Sequence, residues 1–364
     1  APCFARSDAG RPDQKPLSRR LMRVAVTGAC GALGRPVCEM LSRRGHEVIA
    51  IDRAFCGNDT NSRQADVTDY RQLLDACSGA ESIVHLAGIP TPSEPEPGRI
   101  FHTNVFGTYL VYEVASTLGV ETVVVASSIN ALGFYFAVRP ELPSRLPITE
   151  DEPRVPSDPY SYSKSAVEDL GAYFYRREGI VGGSLRIPIT IDARKTQENA
   201  SRYREIRALV SEAMADTSGQ WLADFRQSVA GYRHDRVRER NADPADHFTN
   251  RDFRLIPWVY GFFFCLELED LAAAADCLCR ARSYVGPVFV GSTYNYIGLD
   301  ADSLARTFFP EVPREHLESG PMSLVRTTKL RSTTDWEPRH TDAELIRMWR
   351  AHSDISPQHK ESIR

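Results

Sequence analysis

The chain has 364 residues, of which 42% are hydrophobic and 25% are charged, and its formal net charge is -4. This length allows one large domain or two smaller ones with a real hydrophobic core, and the composition is that of an ordinary soluble globular protein. The small negative charge gives no electrostatic reason to expect nucleic acid or an acidic membrane surface as a partner.

The first 21 residues mix Arg, Pro and Asp and lack the apolar core of a secretory signal. We expect a flexible leader there and place the start of the folded part at Met22. No apolar run reaches the roughly 18 to 20 residues that span a bilayer, and the longest, Trp258 to Leu268, is too short. These features predict a cytoplasmic protein that does not enter a membrane.

A short apolar strand around Val24 and Val26 runs into a glycine-rich turn that opens a helix. Gly28, Gly31 and Gly34 recur there at three-residue spacing. Glycines let the backbone turn sharply and approach a pyrophosphate, and the amides and positive dipole end of the next helix favour the anion. The segment predicts a phosphate-binding turn, although three glycines after a strand can also form only a tight turn.

An acidic residue follows at the end of the second predicted strand. After a first helix over residues 32–44, the strand Glu47 to Ile51 is followed by Asp52. A carboxylate about 20 residues beyond the glycine turn can accept hydrogen bonds from the adenosine ribose hydroxyls, and it repels a 2′-phosphate. Asp52 therefore favours NAD over NADP, a preference that Arg35 and Arg53 moderate. The alternative interpretation is a solvated loop residue.

Strands and helices then alternate as far as Leu185. The order is helix Asp69 to Cys77, strand Ser82 to Ala87, helix Arg99 to Leu118 and strand Thr122 to Ala126. This alternation requires a parallel sheet covered by helices, and right-handed crossovers make it doubly wound. The predicted fold class is α/β with a Rossmann-type sheet, in which the carboxyl ends of the strands face one cofactor.

A second chemical feature is the segment from Ser157 to Lys164. Pro159 suits the first position of a helix and Asp158 its cap, so Tyr160 and Lys164 lie one turn apart on one face. A neighbouring ammonium and a nicotinium charge both favour the phenolate of a Tyr hydroxyl, which ordinarily titrates at about 10. Tyr160 is therefore predicted to exchange a proton with a substrate hydroxyl while hydride moves to or from a nicotinamide.

Two adjacent serines follow the fifth predicted strand. Ser128 is the natural third member of the site, because its hydroxyl can bond both the substrate oxygen and the hydroxyl of Tyr160. Ser127 is the competing choice.

In this order the motifs resemble those of extended short-chain dehydrogenase/reductases of the NAD-dependent epimerase/dehydratase family, across residues 22–190. The resemblance is carried by Thr27 to Gly34 (TGxxGxxG), Asp66-Val67, His85 to Gly88, Asn104 to Thr108 (NxxGT), Ser128, and Tyr160 with Lys164 (YxxxK). It implies catalysis by Ser128, Tyr160 and Lys164. It implies cofactor contacts from Gly28, Gly31, Ala32, Leu33, Gly34, Asp52, Asp66, Val67, Leu86, Ala87, Gly88, Asn104, Tyr160 and Lys164.

The stretch Ser127 to Phe134, SSINALGF, is most similar to uronate dehydrogenase-like members, which oxidise the anomeric carbon of a free sugar acid to a lactone. The resemblance thus implies an NAD(P)-dependent oxidoreductase that acts on a carbinol carbon of a sugar, sugar acid or related small molecule. An epimerase or dehydratase with tightly bound NAD is the close alternative. A non-catalytic dinucleotide-binding regulator is a further alternative, and the retained Tyr160 argues against it.

The resemblance also implies a homodimer through the helices of Asn104 and Tyr160.

Two features depart from the family pattern. Arg186 to Thr190 lacks the Asn and Gly-Pro often found in nucleotide-sugar epimerases. Residues 192–254 are long, charged and helical in pattern, with eight Arg against six acidic residues between Ser201 and Arg240. Such a mixture usually forms a solvated helical face. The sharper hypothesis is a substrate lid whose arginines meet a carboxylate or phosphate.

We therefore expect four parts in the chain: a leader (1–21), an NAD(P)-binding domain with the catalytic residues (22–190), a helical insert (191–255) and a C-terminal substrate-binding part (256–364). The last part is predicted to contain a helix through Arg280, a strand Pro287 to Gly291, a helix Asp302 to Phe308 and a closing helix Thr341 to Trp349.

Eight cysteines are scattered through the chain without a CxxC unit, which indicates neither a zinc cluster nor a disulfide framework. We expect no metal and small buried thiols in a reducing compartment. Cys30, in the glycine turn, is the one possible exception.

Overall fold

The computed structural model describes residues 21–55, 61–92, 96, 98–138, 141–239, 253–315 and 317–339. Residues 1–20 of the expected leader and the predicted closing helix Thr341 to Trp349 lie outside the described residues.

A parallel sheet of seven strands forms the centre of the fold. The described residues contain nine strands, seven of which belong to this sheet. In chain order they are β1 (Arg23–Thr27), β2 (Glu47–Asp52), β3 (Ser62–Gln64), β4 (Ser82–His85), β5 (Thr122–Ser128), β6 (Val181–Ile187), β7 (Ile189–Ile191), β8 (Cys265–Glu267) and β9 (Tyr284–Phe289). The order in the sheet is β3-β2-β1-β4-β5-β6-β9, and β7 pairs with β8 in a separate two-stranded sheet. The chain leaves β1 in one direction and returns beside it at β4, which is the doubly wound Rossmann-type α/β topology that the sequence predicted.

Helices cover both faces of this sheet, and others pack in a separate core. In chain order the helices are α1 (Gly34–Arg43), α2 (Tyr70–Ala76), α3 (Gly107–Leu118), α4 (Pro159–Glu178), α5 (Thr196–Ala215), α6 (Gln220–Glu239), α7 (Ile256–Val259), α8 (Leu268–Cys279), α9 (Ala301–Phe308) and α10 (Thr328–Thr333). A π-helical turn, Phe101–Phe106, runs directly into α3. Val24 and Val26 pack with the apolar residues of α1 and α8, whereas Ala25 packs with those of α2, α3 and α4. This alternation follows from the two-residue period of a strand.

Local sequence sets the ends of the helix that carries the YxxxK motif. Asp158 caps α4, because its carboxylate accepts a hydrogen bond from the Ser161 amide at 2.9 Å. Pro159 follows at the first position, where its missing N–H leaves no helical bond unmade.

The late strand begins earlier than predicted. The sequence indicated a strand from Pro287 to Gly291. In the structure β9 starts at Tyr284, and Gly286 and Pro287 pair with Gly183 and Ser184 of β6. Because β9 is the last strand in the sheet order, Pro287 can be accommodated at the edge, where a missing N–H costs little.

The insert forms two helices, α5 and α6, that each bury one face. Tyr203, Ile206 and Phe225 belong to the same hydrophobic core as Trp258 and Phe308 of the C-terminal part. The helices are therefore built into the core, and the solvated face predicted from their charge is only their outer side.

No helix within the described ranges is long and apolar enough to cross a membrane. The apolar run Trp258 to Leu268 is instead packed inside the protein, where Phe262, Phe263 and Phe264 are fully buried.

Candidate active site

Two adjoining cavities lie at the carboxyl ends of the central strands. The first, about 320 Å³, is lined by Gly28, Gly31, Asp52, Arg53, Ala65, Asp66, Val67, Thr68, Leu86, Ala87, Gly88, Ile89, Arg99, His102 and Thr103. The second, about 400 Å³, includes Ala32, Leu33, Leu86, Gly88, Ile89, Ser128, Tyr135, Phe136, Tyr160 and Lys164 in its lining. The shared residues Leu86, Gly88 and Ile89 make the cavities one continuous cleft.

The glycine turn leaves no room for side chains at two positions. Gly28 has φ +71°, and a Cβ there would lie 2.7 Å from the Ala87 nitrogen. A Cβ on Gly34 would collide with the carbonyl oxygen of Gly28. Gly34 lines neither cavity, so it lets α1 pack closely behind the turn. The first turn of α1 has no acidic residue, which suits the approach of an anion.

Asp52, at the end of β2, faces the first cavity and is anchored by backbone amides. Its carboxylate accepts hydrogen bonds from the N–H groups of Cys30 at 3.0 Å and Ala54 at 3.1 Å. A carboxylate has about four acceptor positions, so it retains capacity for a ligand. Arg35 donates to the Cys30 carbonyl at 3.0 Å, whereas Arg53 lines the cavity.

Cys30 is disulfide-bonded, so it is an exception to the expectation of reduced thiols. Cys38, Cys77, Cys265, Cys277 and Cys279 are in the thiol form. Among the described residues, no group of three or more His, Cys, Asp or Glu could hold a metal ion.

Asn104 lies behind the wall of the cleft and does not line it. Its side-chain oxygen accepts a hydrogen bond from the Ile89 amide at 2.7 Å, and its nitrogen donates to the Ile89 carbonyl at 3.0 Å and to Ser163 Oγ at 2.9 Å. The residue thus ties the segment between the two cavities to α4. Its contact with a cofactor stays a prediction.

Ser128, Tyr160 and Lys164 meet in the second cavity. Ser128 ends β5, whereas Tyr160 and Lys164 lie in the first two turns of α4. The Lys164 Nζ donates to the carbonyl oxygen of Ala126 at 2.8 Å and lies 5.9 Å from the centre of the Tyr160 ring. Tyr160 and Lys164 are only 7% and 8% exposed, so their polar ends meet a ligand away from bulk water.

Burial disfavours the charged forms of both side chains. It raises the pKa of Tyr160 to about 12, against the opposing effect of a hydrogen bond with Ser128. It also lowers the pKa of Lys164 to about 8. The sequence argument anticipated a lowered pKa for Tyr160 because Lys164 is a neighbour. In the protein without cofactor, the desolvation of the phenolate is the larger effect.

The two candidate serines have different hydrogen-bond partners in the structure. The Ser127 hydroxyl donates to Glu168 Oε1 at 2.7 Å. Glu168 in turn forms a buried, two-pronged pair with Arg186, with Nε–Oε1 and Nη2–Oε2 distances of 2.9 and 3.0 Å. Ser127 is therefore engaged in a structural network, and the hydroxyl that interacts with Tyr160 is that of Ser128.

His85 is a buried histidine beneath the cleft, and the sequence motifs predicted no separate role for it. His85 Nδ1 is 2.7 Å from Thr27 Oγ1, and its Nε2 is 3.0 Å from Thr108 Oγ1. The Thr108 hydroxyl donates to the Asn104 carbonyl, so it accepts from Nε2–H. Burial lowers the pKa of His85 to about 3, which keeps the ring neutral. His85 thus connects β1, which leads into the glycine turn, to the helix of Asn104.

The far wall of the second cavity comes from segments that sequence reasoning did not select. Tyr135 and Phe136 line one side, and Pro257 and Gly261 line another. The Phe136 ring meets the Tyr160 ring edge-on at 5.6 Å. An aromatic pair shortly after Ser128 is a sequence signal for the first side, whereas nothing in the spacing connects residues 257–261 to Tyr160.

The insert arginines with defined contacts bind the protein itself. Arg207 donates to the Ile297 carbonyl. Arg226 donates to the Phe308 carbonyl and to Glu311. Arg233 donates to the carbonyl oxygens of Phe134 and Tyr135. These three side chains bind groups of the protein itself, whereas the lid hypothesis requires insert arginines that meet a carboxylate or phosphate of the substrate.

The chain is similar to several known proteins. The model of the NAD dependent epimerase/dehydratase family matches residues 24–217. An L-arabinose 1-dehydrogenase (NAD(P)(+)) of Haloferax volcanii is 34% identical over 200 residues, which are 52% of this chain and 77% of that protein. A uronate dehydrogenase of Pseudomonas syringae pv. tomato is 30% identical over 169 residues, covering 45% of this chain and 58% of that protein.

A solved short-chain dehydrogenase/reductase superfamily protein from Agrobacterium tumefaciens, with bound NAD, superposes with a TM-score of 0.58 at 20% identity. The match covers 91% of this chain and 97% of the other. At this identity the likeness shows a shared fold.

Proposed function

Because this chain belongs to the NAD-dependent epimerase/dehydratase family, we propose that it is an NAD-dependent dehydrogenase of a free sugar or sugar acid, which it oxidises at the anomeric carbon to a lactone. The observation that carries the proposal is the meeting of Ser128, Tyr160 and Lys164 in a cavity continuous with that of the glycine turn. The names of the arabinose and uronate dehydrogenases support this substrate class.

The residues of the first cavity fit a dinucleotide. The crowded turn at Gly28 and Gly34 allows a pyrophosphate to approach the start of α1. Asp52 offers a carboxylate to the ribose hydroxyls, which favours NAD, while Arg53 in the same cavity moderates that preference. When bound, the nicotinamide supplies the acceptor for a hydride.

The three residues of the second cavity then have distinct tasks. Tyr160, as the phenolate, would take the proton of the substrate O–H and become the neutral phenol, while the electron pair of the C–H bond would leave as hydride toward the nicotinamide and the C=O bond would form. Ser128 holds the same substrate oxygen by a hydrogen bond. Lys164 keeps its ammonium beside Tyr160 through its bond to Ala126, where a positive charge favours the phenolate.

The experiment is turnover with a panel of uronic acids, free aldoses and nucleotide sugars, with NAD or NADP, followed by the absorbance of reduced nicotinamide. We expect reduction of NAD with a free sugar or sugar acid, and a lactone as the product identified by NMR. Absence of turnover across the free sugars and sugar acids would contradict the proposal.

An epimerase or dehydratase with tightly bound NAD is the second candidate, because the same three residues serve a hydride that returns within one turnover. Product formed from a nucleotide sugar without a change in free cofactor would establish it. Binding of NAD without any turnover would instead favour the non-catalytic regulator.

We also propose a homodimer through α4 and the helix of Asn104, which comprises the π-helical turn Phe101–Phe106 and α3. This face carries large exposed aromatic side chains, among them Phe101 at 50% and Tyr162 at 54%, whose rings stack at 6.4 Å. Analytical ultracentrifugation of Tyr162→Glu against the parent chain tests the interface, and a parent chain that sediments as a monomer would contradict it. The cytoplasmic location stays a prediction from the sequence.

A further inference from the structure

Arg233 is a buried cation inside the insert. It belongs to α6 and is only 3% exposed. Its Nη2 donates to two successive carbonyl oxygens, that of Phe134 at 2.7 Å and that of Tyr135 at 3.0 Å. Its guanidinium carbon lies 4.4 Å from the centre of the Tyr260 ring. One side chain of the insert therefore contacts two segments that are more than a hundred residues apart in the sequence.

Those two segments both contribute to the lining of the second cavity. Tyr135 and Phe136 belong to the segment held through its carbonyls, and Pro257 and Gly261 flank the Tyr260 on which the guanidinium stacks. An edge-on contact between Phe134 and Phe262, at 5.4 Å, joins the same segments beside the arginine. The polar and aromatic contacts of Arg233 thus lie directly behind both walls.

We propose that Arg233 is a positioning residue that sets the width of the substrate cavity, and that the insert thereby determines which substrates fit. This inference rests on the proposed function, because it concerns the same cavity. Phe136 carries the effect to the reacting groups, since its ring touches the ring of Tyr160. Arg233 itself lines neither cavity.

Arginine suits this task better than any other residue. Its planar guanidinium can stack on an aromatic ring and donate to carbonyl oxygens in the ring's vicinity at the same time, with a charge that is not lost at any working pH. A lysine offers a point charge without the flat face. Without the guanidinium, a buried carbonyl of Phe134 and a partly buried one of Tyr135 would lack this donor, and the 134–136 segment would be free to relax.

The test compares Arg233→Met and Arg233→Lys with Arg226→Met. Arg226 lies two turns earlier on α6, where it donates to the Phe308 carbonyl and Glu311 and not to a wall of the cavity. For each variant we would measure kcat and KM across sugars of increasing size, the Kd for NAD, and hydrogen exchange at the amides of 134–136 and 258–261.

For Arg233→Met we expect KM for the preferred substrate to rise about tenfold, with a smaller change in kcat, and the ratio of kcat/KM between small and large substrates to change. Arg233→Lys should fall between the parent and Arg233→Met, and Arg226→Met should keep the parent's substrate ratio. The Kd for NAD should stay within about twofold in all three, because the adenosine side of the cleft is not touched. Exchange should accelerate at 134–136 and 258–261 in both Arg233 variants.

A folded Arg233→Met with the parent's substrate ratio and exchange rates would overturn the inference. If Arg233→Met does not fold, Arg233→Lys and Tyr260→Leu, which removes only the stacking partner, decide by the same measurements. If the parent turns over no sugar, the proposed function fails, whereas the exchange comparison still tests whether Arg233 holds the two walls.

Discussion

The ammonium nitrogen of Lys164 lies 5.9 Å from the centre of the Tyr160 ring, in a site where each side chain is less than a tenth exposed. In the absence of cofactor, burial raises the pKa of Tyr160 to about 12 and lowers that of Lys164 to about 8. At neutral pH the pair is therefore a neutral phenol beside an ammonium group that loses its proton more readily than an ordinary lysine. The positive charge of a bound nicotinamide would lower the pKa of the phenol.

Removal of the Tyr160 hydroxyl should abolish proton transfer and leave the fold intact. We expect Tyr160→Phe to lower kcat by about 10² to 10⁴ with little change in KM, because general acid–base catalysis contributes that much. Steady-state kinetics and a melting curve measure the two effects. Tyr162→Phe is the matched control, since its ring is 54% exposed and outside the cavity. Full turnover by Tyr160→Phe would disprove its assigned role.

The charge of Asp52 should control the choice between NAD and NADP. Asp52→Asn keeps the volume of the side chain and removes the charge that repels a 2′-phosphate, so we expect kcat/KM for NADP relative to NAD to rise about tenfold. Asp75→Asn, on the exposed side of α2, changes the net charge equally and should leave the ratio alone. An unchanged ratio in Asp52→Asn would remove Asp52 from cofactor selection.

The buried His85 should make the protein sensitive to acid. Its pKa is about 3 in the fold, against an ordinary value of 6.5. Between these values the unfolded chain binds a proton that the folded chain does not. The free energy of unfolding therefore falls as the pH drops through this range, by up to about 1.4 kcal/mol per pH unit.

Replacement of His85 by Gln should reduce this loss. We expect His85→Gln to be less stable than the parent at neutral pH, because the bonds to Thr27 and Thr108 are weakened, but to lose less stability as the pH falls below about 6.5. Urea unfolding at several pH values measures both effects. His102→Gln, which alters an exposed side chain, should show the parent's pH dependence. Parallel stability curves for His85→Gln and the parent would be incompatible with this explanation.

The buried pair of Glu168 and Arg186 should be costly to break. Their side chains are 1% and 3% exposed, so Glu168→Gln leaves the buried guanidinium of Arg186 without its carboxylate, at a cost of about 3 to 5 kcal/mol. Asp302→Asn, which breaks an exposed pair with Arg306, should cost less than about 1 kcal/mol. Urea denaturation would measure the difference, and equal costs for the two pairs would contradict the prediction.

Features that depend on neighbours in the chain could be predicted from the sequence. The strand, turn and helix from Met22 to Arg43, the cap at Asp158 and the placement of Tyr160 one turn before Lys164 all follow from local backbone geometry and hydrogen bonding. The alternation of strands and helices then restricts the topology to a doubly wound sheet, which brings the strand ends to one edge. Sequence by itself therefore determined the fold class and the glycine turn, strand ends and helix start that carry the predicted site residues.

Features that depend on burial and on distant segments were decided by the tertiary structure. Ser127 and Ser128 end the same strand, and only the approach of Glu168 and Arg186 to Ser127 distinguishes their roles. The pKa of Tyr160 rises because the surrounding protein excludes water, which residue spacing does not encode. Arg233 resembles any charged helix residue in the sequence. It gains a place behind the substrate cavity only because packing brings residues 134–136 and 257–261 to the same guanidinium.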